Sequence, residues 1–79
     1  MKLKIKYFAA MREKAGVSEE ILETNCKDAL ELLNELDKKY NFNLDRDHLK
    51  VAINEEYSSF DSSLKENDTL VFIPPVAGG

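Results

Sequence analysis

The run Lys27-Asp28-Ala29-Leu30-Glu31-Leu32-Leu33-Asn34-Glu35-Leu36-Asp37-Lys38-Lys39-Tyr40 carries its apolar residues at helical spacing. Ala29, Leu32, Leu33, Leu36 and Tyr40 recur every three or four positions and make one stripe, while Glu31, Asn34, Glu35 and Lys38 lie off it. The spacing predicts a helix over residues 27–40. Asn25 or Cys26 is expected as its N-cap, Asp28 suits the dipole of the first turn, and Asn41 and Asn43 can end it. A single apolar stripe has to be buried against another element, and the segments on either side read as strands.

Upstream, residues 2–7 alternate between lysine and apolar residues, so Leu3, Ile5 and Tyr7 share one face of a strand and Lys2, Lys4 and Lys6 the other. Residues 9–15 favour a short helical turn, with Gly16 placed to end it as a left-handed cap. Residues 18–24 read as a second strand returning beside the first, with its facing left open because Ile21 and Leu22 are adjacent. Downstream, residues 44–49 are a polar loop. Residues 50–54 read as a strand with Val51 and Ile53 inward. Residues 55–68 are rich in turn formers, with Leu64 expected to plug the core. Thr69–Ile73 is the last strand and must stop at Pro74, because Pro74 and Pro75 cannot donate ladder hydrogen bonds. Two strands, a long helix and two more strands predict an α+β domain. The helix covers one face of a mixed sheet, and the first and last strands lie side by side in its centre. That is the β-grasp, or ubiquitin-like, layout over residues 1–73, followed by a flexible C-terminal Gly-Gly tail over residues 74–79.

Composition narrows the function. A chain of 79 residues makes one small domain, too short to form both a core and an enclosed pocket. Fifteen acids against eleven Lys and Arg leave a net charge of −4, which argues against nucleic acid as partner. One cysteine excludes an internal disulfide and, with one histidine, a tetrahedral metal site. No apolar run is long enough to span a membrane, and the lysine-alternating start is not a signal peptide. A cytoplasmic location is the expectation.

The last residues are Pro74-Pro75-Val76-Ala77-Gly78-Gly79, and the two glycines bury nothing in a packed domain. A proline pair holds them off the body as a stiff spacer, and two glycines without Cβ atoms can thread a narrow channel. The Gly79 carboxylate then has no side chain to hinder its activation as an acyl-adenylate. These residues follow Phe72-Ile73, and Phe72 through Gly79 resembles the "F-[FI]-P-P-V-x-G-G" ending of the small subunit of molybdopterin synthase, a ubiquitin-like sulfur carrier. Tyr7-Phe8-Ala9 with Arg12-Glu13, and Val51-Ala52-Ile53-Asn54 with Glu55, are similar to the same family, so the resemblance covers nearly the whole chain. The helix start departs from it, with Cys26-Lys27 where Thr and an apolar residue are usual.

The resemblance implies a cycle on Gly79. A ubiquitin-activating-like adenylating enzyme spends ATP on its carboxylate, and a persulfide sulfur displaces AMP to leave a thiocarboxylate. Pro74, Pro75, Val76, Ala77 and Gly78 enter the active site of the large synthase subunit, and sulfur passes to a cyclic pyranopterin precursor. The dithiolene takes two sulfurs, hence two loaded carriers, and the family assembles as two small and two large subunits. In this reading the chain binds no cofactor and no metal and is not catalytic alone. Two other readings share the Gly-Gly end: sulfur carriage for thiamine biosynthesis, and a protein modifier joined to lysines through isopeptide bonds.

Strand parity sets Phe8 with the lysines and Ile73 with Val71, away from the core. If the two strands are neighbours, Phe8 and Ile73 meet near the root of the tail as a partner interface. Cys26 has no second Cys or His in its sequence neighbourhood and reads as an inert structural thiol. His48 reads as a loop residue, Asp45-Arg46-Asp47 lacks the glycine and glutamate of a calcium loop, and the Lys2, Lys4, Lys6 ladder reads as a wet strand face.

Overall fold

The computed structural model describes residues 1–43 and 46–74. Strand β1 (Lys2–Tyr7) is followed by α1 (Ala9–Ala15), β2 (Glu19–Glu23) and α2 (Ala29–Tyr40). A 3-10 turn at Arg46–His48 leads to β3 (Lys50–Ile53), β4 (Glu56–Ser58) and β5 (Thr69–Ile73). The five strands order as β2-β1-β5-β3-β4, with β1 and β5 parallel and the other pairs antiparallel. The first and last strands are therefore neighbours inside a mixed sheet, as the β-grasp layout requires.

Alternation explains the core. Leu3, Ile5 and Tyr7 of β1 and Leu70 and Phe72 of β5 are all but fully buried, and Ala29, Leu32, Leu33 and Leu36 of α2 pack on them. Met11 of α1, Phe42, Leu49, Val51 and Leu64 complete the cluster. Each fully buried leucine of this kind contributes roughly 1.5–3 kcal/mol by leaving water. The register also settles β2. Leu22 faces Leu3 and turns to the core side, while Ile21 faces Lys4 and is exposed.

Three details differ from the sequence reading: the cap of α2, its start at Ala29 rather than Lys27, and a strand, β4, among the expected turns. Asp28, rather than Asn25 or Cys26, caps α2, its Oδ1 accepting the Glu31 amide at 2.9 Å. The chain before it is held extended by a bridge between Asp28 and Ser63 and by the Leu64 amide donating to the Lys27 carbonyl at 3.1 Å. The helix can therefore begin only after that bridge. Cys26 instead donates its amide to Thr24 Oγ1. The third detail is β4, inside the stretch expected to be turns. Asn54 and Glu55 both take positive φ, 54° and 72°, the backbone of a tight two-residue hairpin. Asn54 is fixed there by bonds to Asp68 Oδ1 and to the Thr69 amide. Gly16 ends α1 at φ 79°, donating its amide to the Arg12 carbonyl at 2.9 Å, as expected.

Candidate functional site at the open face and the tail root

α2 covers one face of the sheet and leaves the other open. Because β1 and β5 run parallel, they bring two distant segments out at the same end. Tyr7 lies opposite Phe72, so Phe8 and Ile73 are the next residues on adjoining chains, one step before Pro74. Phe8 keeps an extended backbone at φ −126° and ψ 154°, so the alternation of β1 continues through it. Its ring is turned from the core and is 50 % exposed. Ile73 is half-buried and lies opposite Lys50 of β3. The parity argument for these two residues thus agrees with their placement.

One row further in, the register aligns Lys6, Val71, Ala52 and Tyr57 across four strands. Tyr57 is 75 % exposed, while the small Ala52 is buried beneath its neighbours. Tyr57 escaped the sequence reading because it sits among turn residues. The signal for it was Asn54, a residue suited to positive φ, followed closely by an aromatic that can pair back onto β3. Lys4 and Lys6 line a shallow groove of about 240 Å³ with Asn54, Glu55, Thr69 and Val71. The open face therefore combines an apolar strip with a basic border in a chain whose net charge is −4.

A titratable cluster away from this face is held by structural partners. Glu20 accepts hydroxyl hydrogen bonds from Tyr7 at 2.5 Å and Tyr40 at 2.6 Å, and the Lys39 ammonium lies 3.4 Å away. Burial alone would raise the Glu20 pKa, but the Tyr40 and Tyr7 hydroxyls and Lys39 outweigh it and hold the carboxyl below its ordinary value. The Tyr7 hydroxyl is driven far upward by burial and then by Glu20. This cluster ties the C-terminal end of α2 to β1 and β2, where the ring of Tyr7 meets that of Tyr40 edge-on and Phe42 packs tilted against both.

Cys26 is buried, with Sγ 3.1 Å from Thr24 Oγ1 and 3.5 Å from Glu35 Oε1. Burial raises its pKa against the opposing Thr24 bond, and Glu35 adds to the rise, so the thiolate is disfavoured. Arg46 is bonded back to α2, donating to Asn34 Oδ1 and to Asp37 Oδ2 at 3.0 Å. His48 lies on the exposed 3-10 turn, and Asp45 is outside the described residues. Among the described residues no group of three or more His, Cys, Asp or Glu side chains could hold a metal ion, and no helix is long and apolar enough to cross a membrane. Pro74 is half-buried at the end of β5. Pro75, Val76, Ala77, Gly78 and Gly79, expected as the inserted segment and its reactive end, lie outside the described residues, as does the flexibility expected of them.

Comparison with known proteins bears on the whole length. The ThiS family model matches residues 5–79. A molybdopterin synthase sulfur carrier subunit from Haemophilus influenzae is 35% identical over 80 residues, covering 98% of this chain and 99% of that protein. One from Drosophila melanogaster is 38% identical over 77 residues, covering 92% and 86%. The solution structure of small archaeal modifier protein 1 from Methanosarcina acetivorans superposes with a TM-score of 0.78 at 26% identity, covering 99% of this chain and 96% of that one.

Proposed function

From the premise that this chain belongs to the ThiS family of ubiquitin-like sulfur carriers, we propose that it is the sulfur-donating small subunit of a molybdopterin synthase. The observation that carries this is the extent of the match, which runs through Gly78 and Gly79 and pairs the chain almost end to end with a curated sulfur carrier subunit. The Gly79 carboxylate attacks the α-phosphate of ATP on an adenylating partner, releasing pyrophosphate. The outer sulfur of a persulfide donor then displaces AMP to give an acyl disulfide, and a second thiol cleaves its S–S bond, leaving the thiocarboxylate on Gly79 and a disulfide on the donor. The segment Pro74 to Gly78 reaches into the large subunit, sulfur passes to a cyclic pyranopterin precursor, and water returns the carboxylate. Two loaded carriers serve one dithiolene, in an assembly of two small and two large subunits in the cytoplasm.

The parts described above fit this role. β1 and β5 form a rigid base from which the segment leaves, and Phe8, Ile73 and Tyr57 give a partner an apolar surface beside it. No described side chain is needed as acid, base or nucleophile, because those groups belong to the partners.

The test is intact mass. Incubated with the activating enzyme, ATP, a persulfide donor and a thiol reductant, the chain should gain the difference between one oxygen and one sulfur. Deleting Gly79, or adding one residue after it, should abolish the gain. Full conversion of the extended, unprocessed chain overturns the proposal. The likeness to an archaeal modifier protein favours a second reading, attachment to lysines. Branched Gly79–lysine peptides in a cell digest support it, whereas loss of molybdenum cofactor on deletion supports the first and a thiamine requirement supports carriage for thiamine.

A further inference from the structure

The apolar strip at the tail root extends beyond Phe8 and Ile73. β1 and β2 pair Lys6 with Glu19, and the ladder continues as the Tyr7 amide donates to the Ser18 carbonyl at 2.9 Å. Carried one residue past the Tyr7–Ser18 bond, the same antiparallel register brings Val17 beside Phe8, and the parallel register carried one residue past Tyr7–Phe72 brings Ile73 to its other side. Val17 is 43 % exposed. Its place is fixed from both directions, by the left-handed Gly16 that ends α1 and by the paired strand that follows. Adjacent chains in a sheet lie about 4.8 Å apart, so Val17, Phe8 and Ile73 form one short row. At its far end the row meets Lys50.

The charges beside this row are unspent. Lys4 is engaged by Glu19 at 3.4 Å, whereas neither Lys6 nor Lys50 is in an ion pair with a described residue. The chain as a whole is acidic at −4. An acidic partner surface is therefore repelled by most of this molecule and attracted at this end, which orients the encounter. A second copy is a poor occupant, since it would bring lysines against lysines.

We propose that Val17 is a third apolar anchor of the docking surface, and that this surface fits a protein face made of an apolar ridge edged by carboxylates that meet Lys6 and Lys50. The inference rests on the synthase reading and names the chemistry of the partner face that reading requires.

The experiment is titration of the full chain against the cognate large synthase subunit at two salt concentrations, with thermal unfolding as a check on folding. Val17→Asp should weaken binding by about tenfold or more and Val17→Ala by about threefold. The Lys6→Glu, Lys50→Glu double variant should weaken binding and flatten its dependence on salt. Leu30→Asp, at an exposed leucine on α2, should bind like the parent. If both Val17 variants bind within about twofold of the parent while Phe8→Ala binds weakly, the inference fails and the synthase reading stands. If the parent chain itself does not bind the large subunit, the synthase reading fails and the inference with it.

Discussion

Phe8 and Leu3 belong to one continuous extended stretch, yet substitution should reveal opposite roles. Leu3 is fully buried, so Leu3→Ala should cost about 2–5 kcal/mol and show as a lowered urea midpoint. Phe8→Ala removes a half-exposed ring and should change stability by no more than about 1 kcal/mol. It should instead weaken binding to the large subunit or the activating enzyme by about tenfold. Equal destabilisation by the two variants would place Phe8 in the core. Cys26→Ser makes a parallel case. The hydroxyl can keep the Thr24 contact, and in the proposed cycle the transferred sulfur belongs to a Gly79 thiocarboxylate, so synthase turnover should be retained. A large fall in turnover with the fold intact would make the thiol a relay. The exposure of Phe8 was legible in the sequence because it follows from parity, and the reading of Cys26 as a structural thiol rests on which residues it lacks nearby. Tyr57 was not, because its exposure on the open face depends on pairing with Ala52, and local composition there says only turn.

At the level of elements, the ends of α2 show how tertiary contacts choose among local options. Asn25, Cys26 and Asp28 all precede the apolar stripe, and the stripe alone does not choose between them. The bridge from Asp28 to Ser63 keeps the chain extended up to residue 28 and gives the cap to Asp28. Asp28→Ala should therefore lower the unfolding free energy by about 1 kcal/mol, whereas Asn25→Ala should leave it nearly unchanged. Denaturant unfolding of the two variants checks this, and equal losses would return the cap to the earlier position. The β3–β4 hairpin has the same character. Its turn puts Glu55 at φ 72°, where glycine is the usual choice. Glu55→Gly should then stabilise the protein by a few tenths of a kcal/mol to about 1 kcal/mol, measured as a rise in melting temperature. A fall would mean that the Glu55 side chain, rather than the backbone, holds the turn.

For the whole molecule, stability should fall on the acid side. Folded Glu20 is held below its ordinary value of 4.5 by the Tyr40 and Tyr7 hydroxyls and Lys39 against the effect of burial. Asp37 is likewise held below 3.8 by Arg46 and the Asn43 amide against the effect of burial. A depressed native pKa means that the unfolded chain binds more protons as pH drops through this window. The stabilisation is therefore complete above about pH 5 and is lost as pH falls through the folded-state values. Glu20→Gln should flatten that acid limb in urea midpoints measured from pH 7 downward, and superimposable limbs would contradict the assignment. By itself the sequence determined the fold class, the buried face of each long element and the inward and outward residues of β1 and β5. These follow from the fixed periods of helix and strand, which any chain must obey. It also supplied the Gly-Gly end on which the proposed chemistry rests. Only the tertiary structure decided the facing of β2, the cap of α2, the existence of β4 and the row that joins Lys6, Val71, Ala52 and Tyr57. Those depend on register between segments far apart in the chain, a long-range pairing to which no local period or propensity responds.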